Sequence, residues 1–247
     1  MSADQPQPIG SGKAGTSRRR WLRLAGDLLL IVGGLVLSYP FWSAAYAQVQ
    51  QSRLDSAYRE QSAAFSANAQ GNVDRRPRRL SDAEIVQQLA LIYGHDLKAG
   101  DPIGRLRIPR LKLDRLVQQG GGGRLALDPS GDRGLLRSGP VHYALTPLPG
   151  AGEPFAVAGH RTTYGAPFNK LDRLEPGNRI VVETPYAVLT YAVAKTTTVL
   201  PDDVSVLRDR GYALVLTTCT PLYSASHRLI VWATLEKARP RASAPRR

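Results

Sequence analysis

Residues 28–47, LLLIVGGLVLSYPFWSAAYA, contain no charged side chain. Twenty such residues, wound as a helix at ~1.5 Å per residue, reach across the ~30 Å hydrocarbon layer of a bilayer. A core helix of a soluble domain rarely runs this long without a charge directly after an arginine cluster, so the run reads as a membrane span or a signal segment. Arg18, Arg19, Arg20 and Arg23 lie just upstream. The positive-inside bias keeps such a cluster in the cytoplasm and puts residues 48–247 on the outer side of a single-pass plasma-membrane protein. Ala45-Tyr46-Ala47 has the small-x-small form of a signal-peptidase site. The run nevertheless exceeds the ~7–15 residues of an ordinary signal core, which favours a retained anchor over residues 24–47, after a basic cytoplasmic tail at 1–23. Trp42 and Tyr46 suit the aromatic belt at the outer end, and Pro40 marks a kink or the helix exit.

The net charge of +13 brings a nucleic-acid partner into consideration, and the position of the excess argues against one. Residues 1–27, 48–80 and 237–247 hold +11 of it, while residues 81–236 carry 17 basic and 15 acidic side chains. The part able to fold is nearly balanced, so no basic globular face and no nucleic-acid partner is expected. Residues 48–100 read as a stalk. Residues 48–70, rich in Ala, Gln and Ser, suit a solvated continuation of the helix, broken by Asp74-Arg75-Arg76-Pro77-Arg78-Arg79. A second helix follows, with Ser81 as cap, Glu84 three residues on, and Ile85, Leu89 and Ile92 at helical spacing. The tail at 237–247, with five basic residues, two prolines and no acid, reads as disordered.

Beyond Asp101-Pro102 the pattern changes to short runs rich in Val, Leu, Ile, Tyr and Thr between Gly, Pro and Asp. Seven candidate strands fall at 105–108, 114–117, 155–158, 179–183, 188–193, 212–218 and 229–235. No helical pattern longer than two turns lies among them, which argues for a compact, mainly β barrel over residues 101–236 rather than βαβ units. Residues 120–139, opening with four glycines, read as a long loop. No Gly-Lys-Ser/Thr follows those glycines, so a phosphate cradle is not supported.

The chain has one cysteine, Cys219, at the end of the apolar run YALVLTTC. Strand alternation puts it on one face with Ala213, Val215 and Thr217, and puts Leu214, Leu216 and Thr218 on the other. An exported protein with one cysteine has no internal disulfide to make, and its thiol is either a nucleophile or a small buried hydrophobe. A nucleophile needs an imidazole nearby to take its proton or to hold the thiolate. Of the four histidines, His160 directly follows the strand FAVAG and precedes a polar loop, where site residues are commonly placed. His142 and His227 suit polar loop contacts, and His95 lies outside the β region. Acyl transfer also needs a fixed donor for a developing oxyanion. Arg228 begins the next strand and comes beside Cys219 if the two strands pair antiparallel. Cys219 and the histidines lack the compact spacing of a zinc site, and no metal or other cofactor is expected.

The segment Ala158-Gly159-His160-Arg161-Thr162-Thr163, the strand end Leu216-Thr217-Thr218-Cys219-Thr220-Pro221, and Arg228 nine positions after the cysteine resemble the His, Cys and Arg motifs of the sortase family. The resemblance covers roughly residues 101–236. The paired threonines and His142-Tyr143 are most similar to class E sortases of high-GC Gram-positive bacteria, which favour Leu-Ala-X-Thr-Gly over Leu-Pro-X-Thr-Gly signals. It implies a closed eight-stranded barrel and a transpeptidase. Cys219 would attack the Thr–Gly bond of a secreted protein's C-terminal signal, His160 would protonate the leaving amine, and Arg228 would hold the substrate carbonyl or oxyanion. An amine on a peptidoglycan precursor would resolve the thioester. Tyr143, Thr217 and Thr218 are the candidates for lining the substrate groove, with barrel packing as the other reading of each. Residues 144–150 depart from the family's Pro-Gly-Thr pattern, and the glycine-rich loop is long, both of which bear on substrate choice. Asp202, Asp203 and Glu183 are the acids a calcium site would have to gather, and calcium independence is expected. A hydrolytic cysteine peptidase and a non-catalytic wall-binding module gripping polyanions through the basic tail are the alternatives from other classes.

Overall fold

A computed structural model describes residues 15–73, 80–122, 133–152 and 154–241. By contacts the chain divides into two units, residues 1–42 and 43–247. Helix α1, Gly15–Val73, belongs to both and runs through Pro40 without ending there. In the first unit Leu28, Leu29, Leu30, Leu35, Val36, Leu37 and Phe41 are all exposed. Such a helix satisfies its backbone internally and presents apolar side chains outward, and it is long and apolar enough to cross a membrane.

The second unit is a closed barrel of eight strands. These are β1 Pro102–Ile108, β2 Leu113–Gln119, β3 Val141–His142, β4 Phe155–Ala158, β5 Arg179–Glu183, β6 Ala187–Val199, β7 Leu214–Thr220 and β8 His227–Pro240. Their order around the barrel is β1-β2-β3-β4-β7-β8-β6-β5. The β2–β3 and β4–β7 pairs are parallel and the other pairs antiparallel. Period-two alternation sends Leu106, Ile108, Phe155, Val157, Ile180, Val182, Leu189, Leu214, Leu216 and Val231 into one buried core, which leaves no open edge. The opposite face of β4, β7 and β8 carries Ala156, Val215, Ile230 and Trp232, covered by Val206 and Leu207 of a short 3-10 turn, Val204–Leu207.

Helix α2, Asp82–Gly94, forms where the capping box predicts. Its Val86, Leu89, Ala90 and Tyr93 are buried, and the Tyr93 hydroxyl donates to Pro102 O at 2.8 Å, fixing the start of β1. A short helix α3, Arg133–Leu136, leads into β3.

Three features differ from the sequence reading. The stretch of α1 after residue 47 is docked, not solvated: the Gln51 side chain accepts from Leu116 N at 2.8 Å and donates to Ser138 O at 2.9 Å. The Tyr58 hydroxyl donates to Glu183 O at 3.0 Å, Asp55 pairs with Arg105, and Phe65 lies edge-on to Tyr93. Polar composition concealed this because the contacts are made by Gln, Asp and Tyr rather than by an aliphatic stripe. The basic tail is ordered as far as Arg241. Lys237, Ala238, Arg239 and Pro240 extend β8 against Thr190, Leu189, Val188 and Ala187, and Arg241 reaches Glu183 at 3.1 Å. The long β6 needs a partner along its whole length, and this segment supplies it. The eighth strand, β3, is too short to leave a sequence pattern. Of the glycine-rich loop, residues 123–132 lie outside the described residues, as do 242–247.

Replacing Ser81 with Ala removes the hydroxyl that accepts from Glu84 N and donates to Glu84 Oε2, and leaves the bond from Ser81 N to Glu84 in place. We expect it to lower the unfolding free energy by about 1 kcal/mol, read as a lower urea midpoint.

Candidate active site

Strand β7 sets the site. On one side it pairs antiparallel with β8, with Cys219 directly opposite Arg228. Directly opposed residues share a face of the sheet, so thiol and guanidinium stand on the same side, the outer face of the barrel wall. On the other side β7 runs parallel with β4, Ala158 opposite Thr217, and Gly159 N donates to Thr217 O at 3.1 Å. His160 therefore leaves β4 level with Cys219. The fold brings His160, Cys219 and Arg228 to the same end of three adjacent strands.

Each of the three is held by its surroundings. The Arg228 side chain is buried, and its Nη1 donates to Ala225 O at 3.0 Å, on the turn between β7 and β8, and to His227 O at 3.1 Å, at the start of β8. Cys219 is partly exposed, as a nucleophile must be. His160 is half-buried, its carbonyl accepts from Phe168 N at 3.0 Å, and its ring lies 5.2 Å from the Tyr164 ring at 32°. Burial first, and the Arg137 charge second, hold the His160 imidazole below the usual histidine pKa. Near neutral pH the ring is mostly neutral, able to take a thiol proton.

Thr217 and Thr218 are buried and engaged, so they form the wall behind the site rather than the floor of an open groove. Thr217 Oγ1 lies 2.8 Å from the Tyr143 hydroxyl, and Thr218 Oγ1, on the opposite strand face from Cys219, donates to Gly159 O at 2.8 Å. The pairing had hidden this: a two-residue strand, β3, and its continuation carry Tyr143 to the outer face of β7. His95 and His227 take no part. His95 sits at the end of α2 beside Asp96, and the exposed His227 is 3.0 Å from Ser226 Oγ. His142 is buried, with Nδ1 2.9 Å from Gln119 Oε1 and Nε2 2.9 Å from Thr146 Oγ1.

Sequence reasoning passed over Arg161 as one of several polar loop residues. Its side chain is buried, Nη1 donates to Cys219 O at 3.2 Å, and Nη2 lies 3.2 Å from Asp172. It ties the loop after His160 to the end of β7. Adjacent Gly159 is required by packing: a Cβ there would come within 2.6 Å of the buried Phe168 ring. Among the described residues no group of three or more His, Cys, Asp or Glu is placed to hold a metal ion. Glu183 is taken up by Arg107 and Arg241, and Asp203 caps the turn at Ser205.

A family model described as the sortase domain matches residues 106–236. The chain belongs to the sortase family. It is 35% identical over 158 residues to sortase SrtE1 of Streptomyces coelicolor, covering 58% of this chain and 43% of that protein. With sortase SrtE2 of the same organism it shares 36% identity over 154 residues, 57% of each chain. The match thus spans about half the length of these two relatives. The crystal structure of sortase C-1 from Actinomyces oris superposes with a TM-score of 0.50 at 26% identity, covering 72% of this chain and 99% of that one.

Two outcomes follow. Gly159→Ala is expected to lower stability by about 1–3 kcal/mol, because neither Phe168 nor the paired backbone can move freely, read by thermal unfolding. Burial pushes His142 down to about 4 from its ordinary 6.5. The unfolded chain therefore takes up a proton before the folded one does. This part of the stability is complete above pH 6.5, is lost as pH falls to about 4, and is flat below that. Urea midpoints measured across that window should fall with pH, and less steeply in His142→Gln.

Proposed function

We propose that the protein is a membrane-anchored cysteine transpeptidase that joins secreted proteins to an amine of the cell wall. Membership of the sortase family supports the reaction class, and the observation that carries the assignment to this chain is the register of β7. It puts Cys219 opposite Arg228 and level with His160. The thiol gives its proton to neutral His160 as sulfur attacks the carbonyl carbon of the signal's threonine. Arg228, already fixed by two backbone carbonyls, faces the developing oxyanion and needs no reorganisation when charge forms. Collapse of the tetrahedral intermediate expels the glycine amine, which takes the proton from His160, and leaves a thioester on Cys219. An acceptor amine then attacks the thioester. Its nitrogen loses a proton to His160, and the thiol is regenerated.

The substrate is a Leu-Ala-X-Thr-Gly or Leu-Pro-X-Thr-Gly signal, with alanine preferred on the resemblance to class E. Tyr143 borders the groove, with Thr217 and Thr218 positioning it from behind. A cleft lined by Thr198, Val199, Leu200, Asp202, Asp203 and His227 lies beside the Val199–Arg228 pair of the β6–β8 ladder. The arginines ahead of the apolar helix support a cytoplasmic N-terminus and a barrel outside the cell, where secreted substrates and lipid-linked acceptors meet.

The full chain in detergent, incubated with each signal peptide with and without triglycine, tests this by mass spectrometry of the products. We expect a peptide–triglycine product only when triglycine is present, and none with Cys219→Ala or His160→Ala. Cleavage with no ligated product would make the protein a hydrolytic cysteine peptidase instead.

A further inference from the structure

The turn after His160 is held in a conformation that its residues do not favour. Tyr164, Gly165 and Ala166 have φ of 51°, 72° and 43°. Only glycine adopts the left-handed region freely, so Tyr164 and Ala166 stay there because the surroundings hold them. Ala166 N donates to Thr163 O at 2.8 Å and closes the turn. The Tyr164 ring lies against the His160 ring, and the Arg137 guanidinium lies 5.8 Å from the centre of the same tyrosine ring.

The support comes from helix α1. Tyr46 meets the Tyr164 ring edge-on, with centroids 6.4 Å apart and planes at 69°. Ala47 is buried beside Gly165, where an added Cβ would come within 3.8 Å of the alanine methyl. One turn further on, Gln51 binds the carbonyl of Ser138, next to Arg137. The helix therefore backs both segments that approach the imidazole.

We propose that Tyr46 is a positioning residue for His160: acting through Tyr164, it holds the imidazole beside Cys219, so that the outer end of the anchor helix supports the active site as well as tethering it. This rests on His160 serving as the general acid and base of the proposed reaction. Tyr46 is itself half-exposed, so its removal leaves the barrel core untouched.

The test uses the full chain in detergent micelles or lipid nanodiscs. Tyr46→Ala is expected to lower kcat for transfer about tenfold with KM little changed, as a slightly misplaced catalytic group does. Tyr46→Phe keeps the ring and restores the rate. Because both residues act on one imidazole, the Tyr46→Ala, Tyr164→Ala double variant should be no slower than Tyr164→Ala alone. A second measurement needs no activity: NMR titration of the His160 ring in a Cys219→Ala background. The groups acting on that ring are Arg137 before β3 and Tyr164 on its own loop, with residue 219 on β7 and Arg228 on β8 at the same end of the neighbouring strands. None of them changes between Cys219→Ala with and without Tyr46→Ala. Loss of Tyr46 should expose the ring and raise its titration toward that of an ordinary histidine. Unchanged kcat and unchanged titration would overturn the proposal, as would independent, multiplying effects of the two tyrosines. If no variant transfers peptide, the titration still decides the positioning role.

Discussion

The pairing of β7 between a parallel and an antiparallel neighbour is the constraint on which the rest depends. Strand side chains alternate with period two, so a slip of one residue against β4 or β8 would turn Cys219 toward the barrel core and Thr218 outward. The register is pinned by what each face buries. Leu214 and Leu216 fill the core, while Val215 packs outward with Ala156, Ile230 and Trp232. Barrel closure fixes β8 in turn, through its ladder with β6 from Ala187–Pro240 to Val199–Arg228.

The proposed chemistry follows from how the three groups are prepared rather than from their identities alone. A half-buried imidazole held mostly neutral suits a proton acceptor that must later return the proton to a leaving amine. Arg228 is desolvated and oriented before substrate arrives, by carbonyls of the turn that carries the chain from β7 to β8 and of the first residue of β8. Arg161 adds a tie between the His160 loop and the carbonyl of Cys219, anchored at Asp172. The ends of β4 and β7 are thus cross-linked by one buried arginine, Arg161, which restricts their relative movement, while Arg228 braces the approach to β8.

Much of this was legible in the sequence because it is local. The strands Phe155–Ala158 and Arg179–Glu183 fall where alternation and turn residues place them, and the capping box at Ser81 starts α2. His160, Cys219 and Arg228 stood out because each ends or begins a strand at a polar junction. What was hidden depends on contacts distant in the chain. The polar face of α1 conceals Gln51 and Tyr58, which bond backbone across the barrel, and Arg161 shows its role only beside Cys219, 58 residues on. The tail misled for the opposite reason: its composition describes a solvated segment, while its pairing with β6 makes Lys237–Pro240 part of the barrel wall.

The measurement that bears most directly on the central claim is the intact mass of the full chain after brief exposure to a Leu-Ala-X-Thr-Gly peptide without acceptor, followed by peptide mapping. Acyl transfer through Cys219 predicts an added mass equal to the signal up to and including its threonine, located on Cys219 and removed by triglycine. Cleaved peptide with no adduct on Cys219, or an adduct on another residue, would contradict it.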